Sequence, residues 1–310
     1  MNSKKVIATM LSVAIFCGII APFAKEKEMY IDIIAHADES IENEKCGENL
    51  SWSFDEINGT LIINGSGEMN NWKRGNAPWY GFKDKITHLI LPLGLENIGY
   101  YSFYQCTNLK EVIIPEGVKE IGLSAFYGCR NLINVTIPST VTTISTGAFE
   151  YCTNLTQIVI PEGVRTLGEY TFGECYLLSE IDIPNSLVNF GTGVFEDTAW
   201  IKRQYENNNL IIVNGVLIEA KGCSGKITIP DYVTSVLTYV FRNNSDITEV
   251  IVPESVTMIK NYTFANCLGL KRIIIMNPYC RIGTDSKTIP NTTVICSYQN
   301  SLAEGYAKQN

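Results

Sequence analysis

The segment EVIIPEGVKEIGLSAFYGC, Glu111–Cys129, decides the reading of this chain. It returns 23 residues later as NVTIPSTVTTISTGAFEYC, Asn134–Cys152, and again as QIVIPEGVRTLGEYTFGEC, Gln157–Cys175. Pro92, Pro115, Pro138, Pro161 and Pro184 keep the same step, and Pro230 and Pro253 rejoin it. Phe103, Phe126, Phe149, Phe172 and Phe195 keep it too, resuming at Phe241 and Phe264. A period this regular outranks other cues, because each copy is one unit that must stack on its neighbours.

Residues ahead of each proline alternate as a half-buried strand does. Val112/Ile114, Val135/Ile137, Ile158/Ile160, Ile181/Ile183 and Ile273/Ile275 are all aliphatic. The intervening positions change freely: Glu111/Ile113, Asn134/Thr136, Gln157/Val159 and Glu180/Asp182. One face is therefore a core and the other a variable surface. The proline ends the strand, since it has no N–H for the ladder. A second apolar pair follows, as in Val118/Ile121 and Val141/Ile144, and a short turn then buries the phenylalanine. The pattern predicts a repeat solenoid, mainly β, with short helical or 3-10 turns. Stacking at about 4.8 Å would align the phenylalanines into a spine.

Asn108–Cys129, Asn131–Cys152 and Asn154–Cys175 fit N-L-x-x-V-x-I-P-x-x-V-x-x-I-G-x-x-A-F-x-x-C closely. On these residues the chain resembles the BspA-like leucine-rich repeat family, over about residues 86–276. The resemblance implies a right-handed solenoid with a parallel sheet on one face. It also implies a secreted or surface-attached protein that uses this sheet for binding.

The flanks read as caps. Cys46–Trp72, CGENLSWSFDEINGTLIINGSGEMNNW, alternates around Asn58-Gly59 and Asn64-Gly65, which predict turns. Thr292–Asn310 resembles the family's closing strand and short helix. In the irregular copy, 199–221, the stretch Thr198–Cys223 reads as a hairpin on Asn214-Gly215 in place of a regular turn. The expected division is a leader at 1–37, an N-terminal β cap at 38–85, repeats at 86–276 and a C-terminal cap at 277–310.

The leader rests on Lys4 and Lys5, an apolar run from Val6 to Ala24, and Ala35-His36-Ala37 as a small-x-small site. A run of this length also fits an uncleaved membrane anchor. Of 310 residues, 24 are Lys or Arg and 32 are Asp or Glu, for a net charge of −8. Beyond residue 37 the balance is 20 against 29. Such a chain repels a phosphate backbone, so nucleic acid is excluded as a partner.

Chemistry is sparse. His88 is the only histidine beyond the leader, which removes histidine-based nucleophilic catalysis and multi-histidine metal sites. It reads as a surface strand residue. The ten cysteines include no C-x-x-C motif. Cys106, Cys129, Cys152 and Cys175 recur with the period, and their like-oriented side chains read as small apolar fillers carrying free thiols. Glu180 and Asp182 lie on one side of a strand about 6.5 Å apart, a spacing that a glycosidase or a calcium ion could use. A solvated acidic patch is the simpler reading. Asn108, Asn131 and Asn154 form a further ladder, expected to bond turn backbone.

The sequence thus reads as a non-enzymatic, secreted or cell-surface protein without cofactor. Its expected partner is an extracellular protein or glycan, held on the sheet face by Glu111, Asn134, Thr136, Gln157, Val159, Glu180 and Asp182. That strip lacks the aromatic and arginine anchors typical of binding sites. The segment around Trp200 and Tyr205 is therefore a rival surface. Two further readings are a spacer module of a cell-envelope layer and, third, a glycan-active enzyme.

Overall fold

A computed structural model describes residues 44–309, Ser286 excepted. The expected leader at 1–37 lies outside the described residues. The chain forms a mainly β solenoid with a 23-residue register.

Each regular coil contributes two short strands. The first row comprises Glu111–Ile113, Asn134–Thr136, Gln157–Val159 and Glu180–Asp182. Glu111 pairs in parallel with Asn134, and Gln157 with Glu180. The second row comprises Gly94–Ile98, Glu120–Ile121, Thr143–Ile144, Thr166–Leu167 and Asn189–Phe190, again in parallel. The family resemblance implies one parallel sheet; the structure has two rows of strands. A second ladder in fact follows each proline: after a turn, two residues are extended, the second of them the latter member of the apolar pair, as in Glu120–Ile121 and Thr143–Ile144. Val118, Val141 and Val164 N–H groups close that turn on the carbonyls of Pro115, Pro138 and Pro161.

A third row of hydrogen bonds joins the phenylalanine turns. The N–H groups of Phe103, Phe126, Phe149 and Phe172 each donate to the next coil, at 2.8–2.9 Å. Their rings stack in the core with centroid spacings of 5.1, 5.3 and 5.7 Å, continuing to Phe195 at 6.1 Å. Phe103, Phe126, Phe149 and Phe172 are fully buried. Burying such a ring contributes about 1.5–3 kcal/mol. The same spine resumes at Phe241–Phe264, 5.1 Å apart.

The nine described cysteines are free thiols, eight of them buried. The Sγ atoms of Cys129, Cys152 and Cys175 donate to the carbonyls of Phe103, Phe126 and Phe149 at 3.1–3.3 Å. Thr198 takes the cysteine place in the next coil, and its Oγ1 donates to Phe195 O at 2.8 Å. The cysteines thus bond the preceding coil, whereas Thr198 bonds back within its own.

At the N-terminal end Leu50–Asp55 and Thr60–Glu68 form an antiparallel hairpin. Asn58-Gly59 supplies its turn, but Asn64-Gly65 lies within the second strand instead of forming a turn of its own. Gly65 has φ +105° and its missing Cβ would sit 1.9 Å from Asn49 O. The left-handed kink lets the strand leave the hairpin and pair Ser66 with Gly94 of the second row. Trp79 covers the first core layer: it stacks on Phe103 at 5.8 Å and donates Nε1–H to Ser102 O at 2.6 Å.

The irregular copy departs from expectation. Ala199–Asn207 is an α-helix, here α1, and only Leu210–Val213 and Val216–Ala220 form the hairpin on Asn214-Gly215. Thr198 Oγ1 caps the helix by accepting from Ile201 N at 3.1 Å, an N-cap stabilisation of about 1 kcal/mol. The first row then resumes at Gly225–Thr228, Ile247–Val252, Arg272–Ile275 and Val294–Cys296. Both ladders thus run past residue 276, the second through Arg281–Ile282, before helix α2, Leu302–Gln309.

Candidate binding groove

The variable residues of the first row stand on the outer side of their strands. Asn134, Thr136, Gln157, Val159, Glu180 and Asp182 are exposed, whereas Glu111 is half-buried. Stacking sets them in two lines. One runs Glu111, Asn134, Gln157, Glu180 and the other Ile113, Thr136, Val159, Asp182.

Helix α1 changes what this strip can do. Trp200 N–H donates to Leu178 O at 2.8 Å, fixing the helix start against the coil that carries Glu180. Trp200, Arg203 and Gln204 are spaced i, i+3, i+4 and so share one helix face. That face forms a wall, and the strands carrying Gln157–Val159 and Ser179–Asp182 form a floor, around an open groove of about 440 Å³. Four predicted residues, Gln157, Val159, Glu180 and Asp182, line it. Glu111, Asn134 and Thr136 do not; they continue the strip away from the wall. The strip and the Trp200 segment, expected as rivals, are two sides of one groove.

Trp200 is half-buried and rests on Phe195, the last ring of the spine's first section, 4.9 Å away. Farther along α1, Tyr205 donates its hydroxyl to Glu219 of the hairpin at 3.2 Å. Burial, joined by Glu196 nearby, raises the Glu219 carboxyl. This contact ties the far end of the wall to the hairpin.

The electrostatics differ between the two halves of the first row. Beyond α1, Glu249 sits between Lys226, at 3.2 Å, and Arg272, whose Nε donates to it at 2.8 Å. These partners hold the Glu249 carboxyl below its ordinary range. In the groove, Glu180, Asp182 and Arg203 form no ion pair among the described residues. One stretch is self-compensated and the other leaves both signs open.

His88 is exposed on the strand His88–Ile90, with Thr87 Oγ1 2.9 Å from its Nδ1. Glu180 and Asp182 belong to no group of three or more acidic, histidine or cysteine side chains suited to a metal, among the described residues. The asparagine ladder bonds differently from expectation. Asn108 Nδ2 reaches the backbone at Asp84 O, but Asn131 donates to Asn108 Oδ1 and Asn154 to Asn131 Oδ1. Identical amides one coil apart satisfy one another. Arg203 and Gln204 were missed, although Thr198 followed by AWIKRQYEN carries an N-cap signal.

A family model, the BspA type Leucine rich repeat region, matches residues 77–202 and 220–289 in six copies. The chain belongs to the BspA-type leucine-rich repeat family. The gap in this family match, 203–219, covers the second half of α1 and all of the hairpin but Ala220. This BspA-type chain is similar to several solved structures. One is a leucine-rich repeat protein from Eubacterium ventriosum, 17% identical, covering 82% of this chain and 83% of that one, TM-score 0.48. A leucine rich cell surface protein from Faecalibacterium prausnitzii is 20% identical over 87% and 98%, TM-score 0.40. The pneumococcal vaccine antigen PcpA is 14% identical over 85% and 87%, TM-score 0.37. No curated protein matches the chain significantly.

Proposed function

We propose that this BspA-type chain is a non-enzymatic, secreted or cell-surface binding protein whose ligand, an extracellular protein or glycan, sits in the groove beside α1. The observation that carries this reading is the set of uncompensated groups there: Glu180 and Asp182 on the floor and Arg203 on the wall, beside a half-buried Trp200. The same row beyond α1 pairs its own charges, whereas here groups of both signs are left available to a ligand. Trp and Arg are also the residue types that most often anchor binding. Export is supported by the leader-like residues Lys4, Lys5 and Val6–Ala24.

The test is saturable binding of the full chain to immobilised mucin, matrix glycoproteins and cell-envelope polysaccharide. The double variant Glu180→Lys/Asp182→Lys should lose at least tenfold in affinity for whatever the parent binds. Unchanged affinity would reject the groove. Self-association without any other binding would favour the envelope-spacer role, which the unbroken Phe103–Phe195 spine would serve.

A further inference from the structure

Resting on that binding reading, we infer that the groove takes an uncharged oligosaccharide. A ligand in the groove must satisfy both sides together. Glu180 and Asp182 on the floor are acceptor-only groups when ionised, and Arg203 on the wall is a donor-only group. Gln157 and Gln204, one on each side, offer both. A cationic peptide would satisfy the floor but meet Arg203 with like charge. An anionic glycan or acidic peptide would satisfy Arg203 and be repelled by two carboxylates. A sugar hydroxyl donates and accepts at once, so it can give its proton to a floor carboxylate while accepting from the wall guanidinium or amide. Such chains of hydrogen bonds polarise and strengthen one another.

The apolar content points the same way. Trp200 is the only aromatic side chain lining the groove, and Val159, 62% exposed, is the only strongly exposed aliphatic one. Protein-binding patches centre on a cluster of buried aromatic and apolar anchors with a polar rim. Here polar groups stand on both the floor and the wall, with a single indole beside them. That layout suits a pyranose ring, which offers C–H groups on one face and hydroxyls around its edge. The volume of about 440 Å³ lies within the range of small-ligand sites, about 300–1,000 Å³. The floor continues along Thr136 and Asn134 away from α1, so a chain of sugars could extend in that direction while its end abuts the helix.

The test uses the full chain against hexasaccharides of glucose, mannose, galactose and N-acetylglucosamine, with a galacturonic acid hexasaccharide and hexalysine as charged comparators. Titration calorimetry should find a neutral hexasaccharide that binds, with an affinity that changes less than twofold between low and high salt. Charged ligands would instead weaken steeply with salt. Asp182→Asn and Arg203→Ala, both at exposed positions, should each weaken the neutral ligand at least tenfold. Trp200→Phe retains a ring on Phe195 and should shift affinity while leaving the thermal midpoint within a few degrees. Binding of hexalysine or the galacturonate alone, lost in the same variants, would overturn the sugar assignment and leave the groove reading intact. Neutral-sugar binding that survives both variants, or no binding in the whole panel, would overturn this inference. The charge-reversal assay on mucin and matrix surfaces then decides the groove reading separately.

Discussion

Phe149→Ala, at the middle of the spine, is the perturbation with the largest calculable effect. Phe149 is fully buried, with Phe126 at 5.3 Å on one side and Phe172 at 5.7 Å on the other, interplanar angles of 2° and 4°. Truncating a buried phenylalanine costs about 3–5 kcal/mol in transfer and cavity terms. Each stacked pair adds about 0.5–1.5 kcal/mol beyond area burial. Phe264 is the control: it is equally buried, but stacks on one ring, Phe241. Phe149→Ala should therefore cost about 0.5–1.5 kcal/mol more than Phe264→Ala. The assay is urea unfolding followed by far-UV circular dichroism, with the thermal midpoint as a second measure. At about 2–4 °C per kcal/mol, Phe149→Ala should lower the midpoint by at least about 6 °C. Because each coil contacts only its neighbours, loss of a central layer should also broaden the transition. A Phe149→Ala cost below about 1.5 kcal/mol, or one no larger than that of Phe264→Ala, would refute the idea that ring stacking couples the coils.

Burial pushes the Glu150 carboxyl up, and Glu174 and Glu196 add to the shift. A carboxyl raised in the fold binds its proton more tightly there than in the unfolded chain, so its stabilising contribution is present at low pH. That contribution is lost as the pH rises through its folded pKa. Glu150→Gln should thus raise the thermal midpoint at pH 7, with the gain vanishing below the usual carboxylate range; a gain equal at pH 3 and pH 7 would contradict this. Burial also pushes the Cys129 and Cys175 thiols up to about 12, so neither should react with iodoacetamide in the folded protein. Among the described cysteines Cys296, the partly exposed one, should be alkylated first, as peptide mapping would show. Prompt labelling of Cys129 in native buffer would overturn the packing assigned to it.

Much of the coil was legible because its constraints are local and repeated. Val112 and Ile114 alternate with Glu111 and Ile113, Pro115 stops the strand, and Phe126 and Cys129 follow at fixed distance. Each residue meets its own counterpart one coil away, so a single repeat contains nearly all the information about its contacts. The second ladder was harder to read, since two residues such as Glu120–Ile121 are too few to show a period. Asn64-Gly65 misled for a related reason: the dipeptide signals a left-handed residue, and a kinked strand uses one as readily as a turn does.

The candidate groove depended on what the repeat does not encode. The sequence alone determined the period, the buried spine, the free-thiol ladder and the face on which Gln157, Val159, Glu180 and Asp182 stand, all set by nearest-neighbour stacking. Only the tertiary structure decided that Trp200, Arg203 and Gln204 would stand beside that face. Their position comes from a helix cap at Thr198, one backbone bond to Leu178 and an indole resting on Phe195. These contacts occur once in the chain, with no second copy against which to read them.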